Sequence, residues 1–468
     1  MTKKILAMLL ASAMVLSLAG CQENNSQGGG NDNQGGGNDN QGGGNSDNQG
    51  GSSSDDDVLT IVTWSSNSDV QNMVKIFCEK TGTPEDKVQL VTQGDSGGKG
   101  STMIAQYLKG DGDADIITLE ADWILSYIND SSLTAPLSAI GISESDLADP
   151  YPYTVDIGKN EAGDLMGVSF QATPGGFCYR ADLAEQYLGV KSPEEMQAKI
   201  KDWDAFRATA KELYEASGET TALTATEGGL WQVFQANRTK AWVVDNALVM
   251  DNAVDFYDIA KEFADNKYLA GVPQWDPAWA AAIQSGAALG DFVPTWGMTG
   301  KSGSILGDYN GAQGDDLGSS PAFGNMAFCE GPTPYYWGGT WLGLAAKHNT
   351  DDLAAKFIKF FTCDAEGMKA YSTGTGDFCN NKPVMEAIVA DGHQNESLKD
   401  NQDQFPIFLA QADDIDLNGK ITKYDSVIKG HFNDSVNGYI DGTYATKDDA
   451  INAFKDAVAE DYPDLTIE

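Results

Sequence analysis

The residues best equipped for chemistry in this sequence are flat or acidic. Trp64 stands directly after the β-branched run Val58–Thr63, and Glu120, Asp122 and Trp123 stand at the end of the run Asp115–Leu119. Tyr335, Tyr336, Trp337 and Trp341 surround Gly338 and Gly339 in the densest aromatic stretch. A second concentration holds Tyr268, Trp275, Trp279, Phe292 and Trp296. Aromatic faces offer apolar area, carboxylates accept hydrogen bonds, and glycine lets backbone approach a flat ligand closely. Any one of these tryptophans reads equally well as core; the set reads as binding equipment.

Other chemistries find less support. The three histidines, His348, His393 and His431, lie far apart in sequence, which speaks against a His-rich metal site or a His-activated nucleophile. Six cysteines include no Cys-x-x-Cys pair. A formal charge of -39 over 468 residues argues against nucleic acid and against an anionic membrane surface as partner. One segment has metal-ligand spacing. Asp414, Asp416, Asn418 and Asp425 place oxygens as in an EF-hand-type loop, with Gly419 at the sharp turn. It lacks the long glutamate at the last position, so a calcium loop and a structural turn both remain open. No other cofactor is expected.

The elements that must position these residues follow from patterning. Val58–Thr63, Val88–Thr92, Asp115–Leu119 and Leu165–Gln171 read as strands. Val70, Met73, Val74, Phe77 and Cys78 fall at helical spacing, as do Trp203, Phe206, Ala210 and Leu213, and later Ile451, Phe454 and Val458. Strands alternating with helices imply an α/β fold with a largely parallel sheet, and ligands in such sheets sit beyond the carboxyl ends of the strands. Trp64 and the Glu120–Trp123 group occupy two such ends.

The N-terminus reads as an address. Lys3 and Lys4 precede an uncharged stretch ending Leu18-Ala19-Gly20-Cys21, which resembles a bacterial lipobox with Cys21 as the lipidated residue. Residues 1–20 are then a lipoprotein signal peptide, and 21–57 a Gly/Asn/Gln tether with the repeat NDNQGGG. A flexible coil of that length spans roughly 30–35 Å.

Order and spacing of motifs over residues 58–468 resemble the extracellular solute-binding proteins (family 1, maltose-binding-protein-like) of carbohydrate ABC importers. GDADIITLEADW ends at Trp123. GVSFQATPGGFCYRADLAEQYLG covers 167–189, and AAIQSGAALGDFVPTWGM covers 281–298. Phe357–Tyr371, Tyr424-Asp425 and Tyr462-Pro463-Asp464-Leu465 continue the likeness. Thr295 is an insertion relative to the Gly-Pro-Trp usual in the family. The resemblance implies a two-lobed periplasmic-binding-protein-like fold with discontinuous lobes joined by hinge segments. Lobe one would hold about 58–169 and 298–362, and lobe two about 170–293 and 366–468.

It also implies a carbohydrate, an oligosaccharide, held between the lobes and delivered to ABC permease subunits, with no catalytic residues. A pyranose offers a C–H face to aromatics and hydroxyls to carboxylates and amides. The resemblance puts Trp64, Glu120, Asp122 and Trp123 on lobe one, Gln171, Glu227, Trp231 and Tyr424 on lobe two, and Trp296, Trp337 and Trp341 near the hinge. A monomer is expected, lipid-anchored on the extracytoplasmic face of a Gram-positive cell membrane, with its remaining thiols reduced. Two rivals stay open: a surface-anchored glycoside hydrolase and a non-transport glycan-capturing lipoprotein.

Overall fold

Runs of buried β-branched and aliphatic residues build two separate sheets. The computed structural model describes residues 58–64, 68–93, 100–110, 112–297, 305–306, 320–417 and 419–467. The signal segment, Cys21, the tether and Asn418 lie outside the described residues. The first sheet holds β1 (Leu59–Thr63), β2 (Val88–Thr92), β3 (Ile116–Glu120), β4 (Thr134–Ala135), β5 (Gly167–Ser169) and β12 (Thr340–Ala345). The second holds β6 (Gly176–Arg180), β7 (Ala222–Thr224), β10 (Ala288–Val293) and β11 (Met326–Cys329), and β8 (Val243–Val244) and β9 (Ala247–Leu248) form a small hairpin.

In the first sheet the order is β2-β1-β3-β12-β4, with β5 also on β12. The three expected strands β1, β2 and β3 run parallel. β12 runs against β3, β4 and β5, so the sheet is mixed where a largely parallel one was expected. The second sheet is ordered β11-β6-β10-β7, with β6 antiparallel to both neighbours. Two placements differ from the lobe limits expected from sequence. Met326–Cys329 pairs with β6 in the second sheet, and the helix Ala365–Thr375 packs on Ser68–Thr81 beside the first. The helices Asp425–Ile440 and Lys447–Asp461 pack on each other, and the first also packs on Ala253–Asp265 over the second core.

The expected helical faces turn inward: Met73 and Phe77 are buried under the first sheet and Phe206, Ala210 and Leu213 under the second, while Val74, Trp203 and Ile451 are half-buried. Capping fixes several starts. Asp202 accepts from Ala205 N at 2.8 Å, and Thr446 forms a capping box with Asp449.

The chain passes between the sheets along three segments that run side by side. Residues 170–175 leave β5 for β6, residues 330–339 return from β11 to β12, and residues 376–381 lie beside the first of these. Trp337 N donates to Thr173 O at 2.8 Å and Gly175 N to Tyr335 O at 3.0 Å. Ala172 N donates to Phe378 O at 3.2 Å, and Asn380 N to Phe170 O at 3.1 Å. Asp377 is buried at this crossing and accepts from four groups. Gln171 Nε2 is 2.6 Å away, Tyr371 OH 2.5 Å and the Phe378 amide 2.8 Å, and the Thr295 hydroxyl completes the set. Burial pushes its carboxyl up, and these hydrogen bonds draw it back.

Removing that acceptor strands three buried side-chain donors. Asp377→Ala is expected to lower unfolding free energy by about 2–4 kcal/mol. Urea unfolding checks it, and a change under about 0.5 kcal/mol, the scale of a neutral surface substitution, contradicts the role.

Candidate functional site

β3 carries the site because its buried residues Ile116–Leu119 anchor the strand and its last residue, Glu120, emerges at the edge. Glu120 lies opposite Thr340 of β12, and its Oε2 accepts from Asp122 N at 2.8 Å. Gly338 lies near the end of the crossing segment with φ 62°, and a Cβ there would stand 3.2 Å from Glu120 Oε1 and 3.5 Å from Trp296 Cη2. Trp64 and Trp123 are half-buried at neighbouring strand ends, and Trp123 packs on Tyr127 with centroids 4.8 Å apart. This edge therefore gathers three indoles and two carboxylates.

The helix Asp425–Ile440 meets it from the second core. Lys429 Nζ lies 2.7 Å from Asp122 Oδ2, and the lysine side chain is 14 % exposed. Nearby, Lys423 Nζ lies 3.4 Å from Glu161 Oε1. Tyr424 and Thr422 line a crevice of about 440 Å³ against Leu125, Asn129, Ile157 and Asn160. Arg238 stacks its guanidinium 3.6 Å over Trp242 and donates to Val249 O.

Burial sets the protonation of this cluster. It pushes Glu120 up to about 8, assisted by the Asp122 charge and opposed by Lys429. Burial alone takes Glu227 to about 7. Burial takes Asp425 to about 6 despite hydrogen bonds from Thr422 and the nearby Arg238. For Lys429, burial disfavours the charge, but Asp122 and Glu120 outweigh it and the ammonium is held.

The expected site residues divide. Trp64, Glu120, Asp122, Trp123 and Trp296 come together, and Tyr424 lies across from Asn129. Three expectations are corrected. Trp341 is buried and its Nε1 donates to Thr154 O at 2.8 Å; it is core. Trp231 is buried on Phe432, centroids 4.5 Å apart, inside the second core. Gln171 spends its amide on Asp377 at the crossing. Trp337 is also buried, edge-on to Trp275 at 5.6 Å. Glu227 begins the helix Glu227–Ala236, half-buried, with Oε1 buried and unpartnered. Lys429 was missed: a lysine on a mostly polar helix carries no local signal, and its partner is 307 residues away.

The candidate calcium loop is organised otherwise. Asp425 Oδ1 accepts from Thr422 N and Oγ1, and Lys420 Nζ lies 3.6 Å from Asp416 Oδ2. Among the described residues no group of three His, Cys, Asp or Glu side chains is placed to hold a metal ion, and Asn418 lies outside them. Cys78, Cys178, Cys329, Cys363 and Cys379 are free thiols.

In the unfolded chain Glu120 and Glu227 lose their protons near the ordinary carboxylate range; in the fold they keep them to about 8 and about 7. Between those limits the native state binds more protons, so these groups make stability fall as pH rises from about 5 to 8. Glu120→Gln locks one neutral form and flattens that slope. Melting temperatures of both proteins across this range check it, and identical slopes contradict it.

The described residues include no helix long and apolar enough to cross a membrane. Three solved structures share the fold. An extracellular solute-binding protein of family 1 aligns with TM-score 0.69 and 17% identity, over 87% of this chain and 99% of its own. A transporter-associated binding protein of B. animalis subsp. lactis Bl-04, solved with β-1,6-galactobiose, gives 0.67 and 18%, over 88% and 100%. The GacH receptor of Streptomyces glaucescens, solved unliganded and with acarbose, gives 0.65 and 16%, over 87% and 99%. Comparison with curated proteins finds no match. The family model for bacterial extracellular solute-binding proteins matches residues 72–400, and the chain belongs to that family.

Proposed function

We propose that this protein is the substrate-binding component of an ABC importer. It captures an oligosaccharide between two lobes and hands it to permease subunits, without turning it over. One lobe forms around the first sheet and the other around the second. The observation that carries this reading is the rim built by Glu120, Asp122, Trp64, Trp123 and Trp296 against Lys429. It offers flat apolar faces beside hydrogen-bond acceptors, the two things a pyranose needs. Solved relatives in fold hold β-1,6-galactobiose and acarbose, which supports a glycan ligand. The three crossing segments, paired antiparallel, suit a hinge between closing lobes. The protein acts as a monomer, held by lipid on Cys21 at the extracytoplasmic face of a Gram-positive membrane.

The test is a panel of neutral oligosaccharides including β-1,6-galactobiose, maltose and acarbose, read by melting temperature and by cleavage products. A binder at a hundredfold excess over its Kd stabilises the protein by about 2.7 kcal/mol. Trp123→Ala is expected to weaken that binder by about 1–3 kcal/mol, the scale of one lost aromatic face. Stabilisation by no sugar, or appearance of hydrolysis products, overturns the reading. Anchoring is tested separately. Cys21→Ala should move the protein from the detergent phase to the medium, or leave its signal uncleaved, and unchanged partitioning overturns the lipid anchor.

A further inference from the structure

Trp275 is the one exposed aromatic side chain among the described residues, at 42%. It also has φ 65°, in the left-handed region. The other non-glycine residues found there are aspartate, asparagine, glutamate and lysine. A bulky indole at positive φ is a genuine outlier that its surroundings must enforce. Strain and solvent exposure thus fall on the same side chain, and neither serves the core. Two rings hold it. Trp279 lies 5.0 Å away at 71° and Trp337 5.6 Å away at 72°. Trp279 is itself fixed, because its Nε1 donates to buried Asp291 at 2.8 Å. Trp337 belongs to the crossing segment that continues into Gly338 and Glu120's edge.

A second observation points to the same place. Gln274, the residue before Trp275, rests on Gly228, where a Cβ would stand 2.9 Å from its Oε1. Gly228 follows Glu227, whose Oε1 is buried without a partner. A buried acceptor without a protein partner, joined through Gly228 and Gln274 to a rigidly held exposed indole, suits a ligand that brings donors and an apolar face together. We propose that Trp275, with Glu227 and Gln274, forms a second-lobe subsite for one sugar ring of the oligosaccharide, stacked on the indole with a hydroxyl donating to Glu227. The inference rests on the glycan reading above and adds a specificity determinant that the aromatic pattern alone did not single out. Trp337 stands between this ring and the Gly338 edge beside Glu120, so the subsite rewards ligands long enough to reach both sides.

The experiment measures affinity of the intact protein for the best sugar of the panel and for its next shorter homologue. Trp275→Leu keeps apolar bulk and removes the flat face; Trp275→Tyr keeps a flat face. The leucine variant should lose at least tenfold for the longer sugar and much less for the shorter, and the tyrosine variant should regain most of the loss. Glu227→Gln should weaken the longer sugar several-fold without lowering the melting temperature. Trp275→Leu binding the longer sugar within twofold of wild type overturns the subsite. So does a loss equal for both sugars and not restored by tyrosine. Binding of no sugar by the wild-type protein overturns instead the reading beneath it.

Discussion

The structure depends on one buried carboxyl. Asp377 sits where three segments pass between two sheets, and it gathers a donor from each neighbourhood: Gln171 from the first crossing, Thr295 from the end of β10, and Tyr371 from a helix beside the first sheet. A crossing made only of backbone pairs could slide, because backbone pairing is indifferent to register. A charged or neutral acid with four donors is not, since any displacement leaves buried donors unpaired. Thr295 supplies one of those donors, and that bond holds the turn that carries Trp296 to the site edge.

Charge organises what the crossing holds together. The chain has 69 acidic and 30 basic residues, so two acidic bodies must be brought close. Lys429 and Lys423 are spent at that seam, each facing a carboxylate of the first body. Lys429 stays charged while poorly exposed because the Asp122 carboxylate pairs with it. Glu120 in turn responds to burial by holding its proton rather than ionising. A neutral Glu120 both donates and accepts, which suits a ligand whose hydroxyls do the same. An anionic glycan would meet Asp122 and Asp425 with Lys429 and Lys423 already engaged.

Much of this was legible. Val58–Thr63, Val88–Thr92 and Asp115–Leu119 are short apolar runs bounded by turn residues; the first and third fold as strands covered on both faces, and the second pairs at the sheet edge with part of its length exposed. Trp64, Glu120 and Trp123 were placed from their position at strand ends, a local property. Trp341 shows the limit. It lies within β12, where the carbonyl of Thr154 that consumes its N–H is 187 residues away, and nothing local foretells that pairing. Gln171 looks like a sugar ligand and is instead committed to Asp377, 206 residues on. Met326–Cys329 is a four-residue strand whose place in the second sheet comes from antiparallel pairing with β6, again a distant partner. Local pattern fixed the elements; contacts between remote segments decided which side chains were left over for binding.

Those contacts also make hinge and site inseparable. Residues 335–339 turn alternate side chains to different tasks. Tyr335 donates to Gly176 O and Val293 O, tying the segment to the second sheet. Tyr336 is buried with Asp122, Asp425, Glu120 and Arg238 about it, and Trp337 backs Trp275. Gly338 leaves the space that Glu120 and Trp296 share, and Gly339, at φ 114°, lets the chain turn into β12. An L side chain at either glycine would be strained by backbone and crowded by neighbours. Rotation about this segment cannot leave the rim unchanged, because the segment forms its floor. A ligand touching that floor therefore acts directly on the crossing, and the coupling between occupancy and lobe movement needs no longer path.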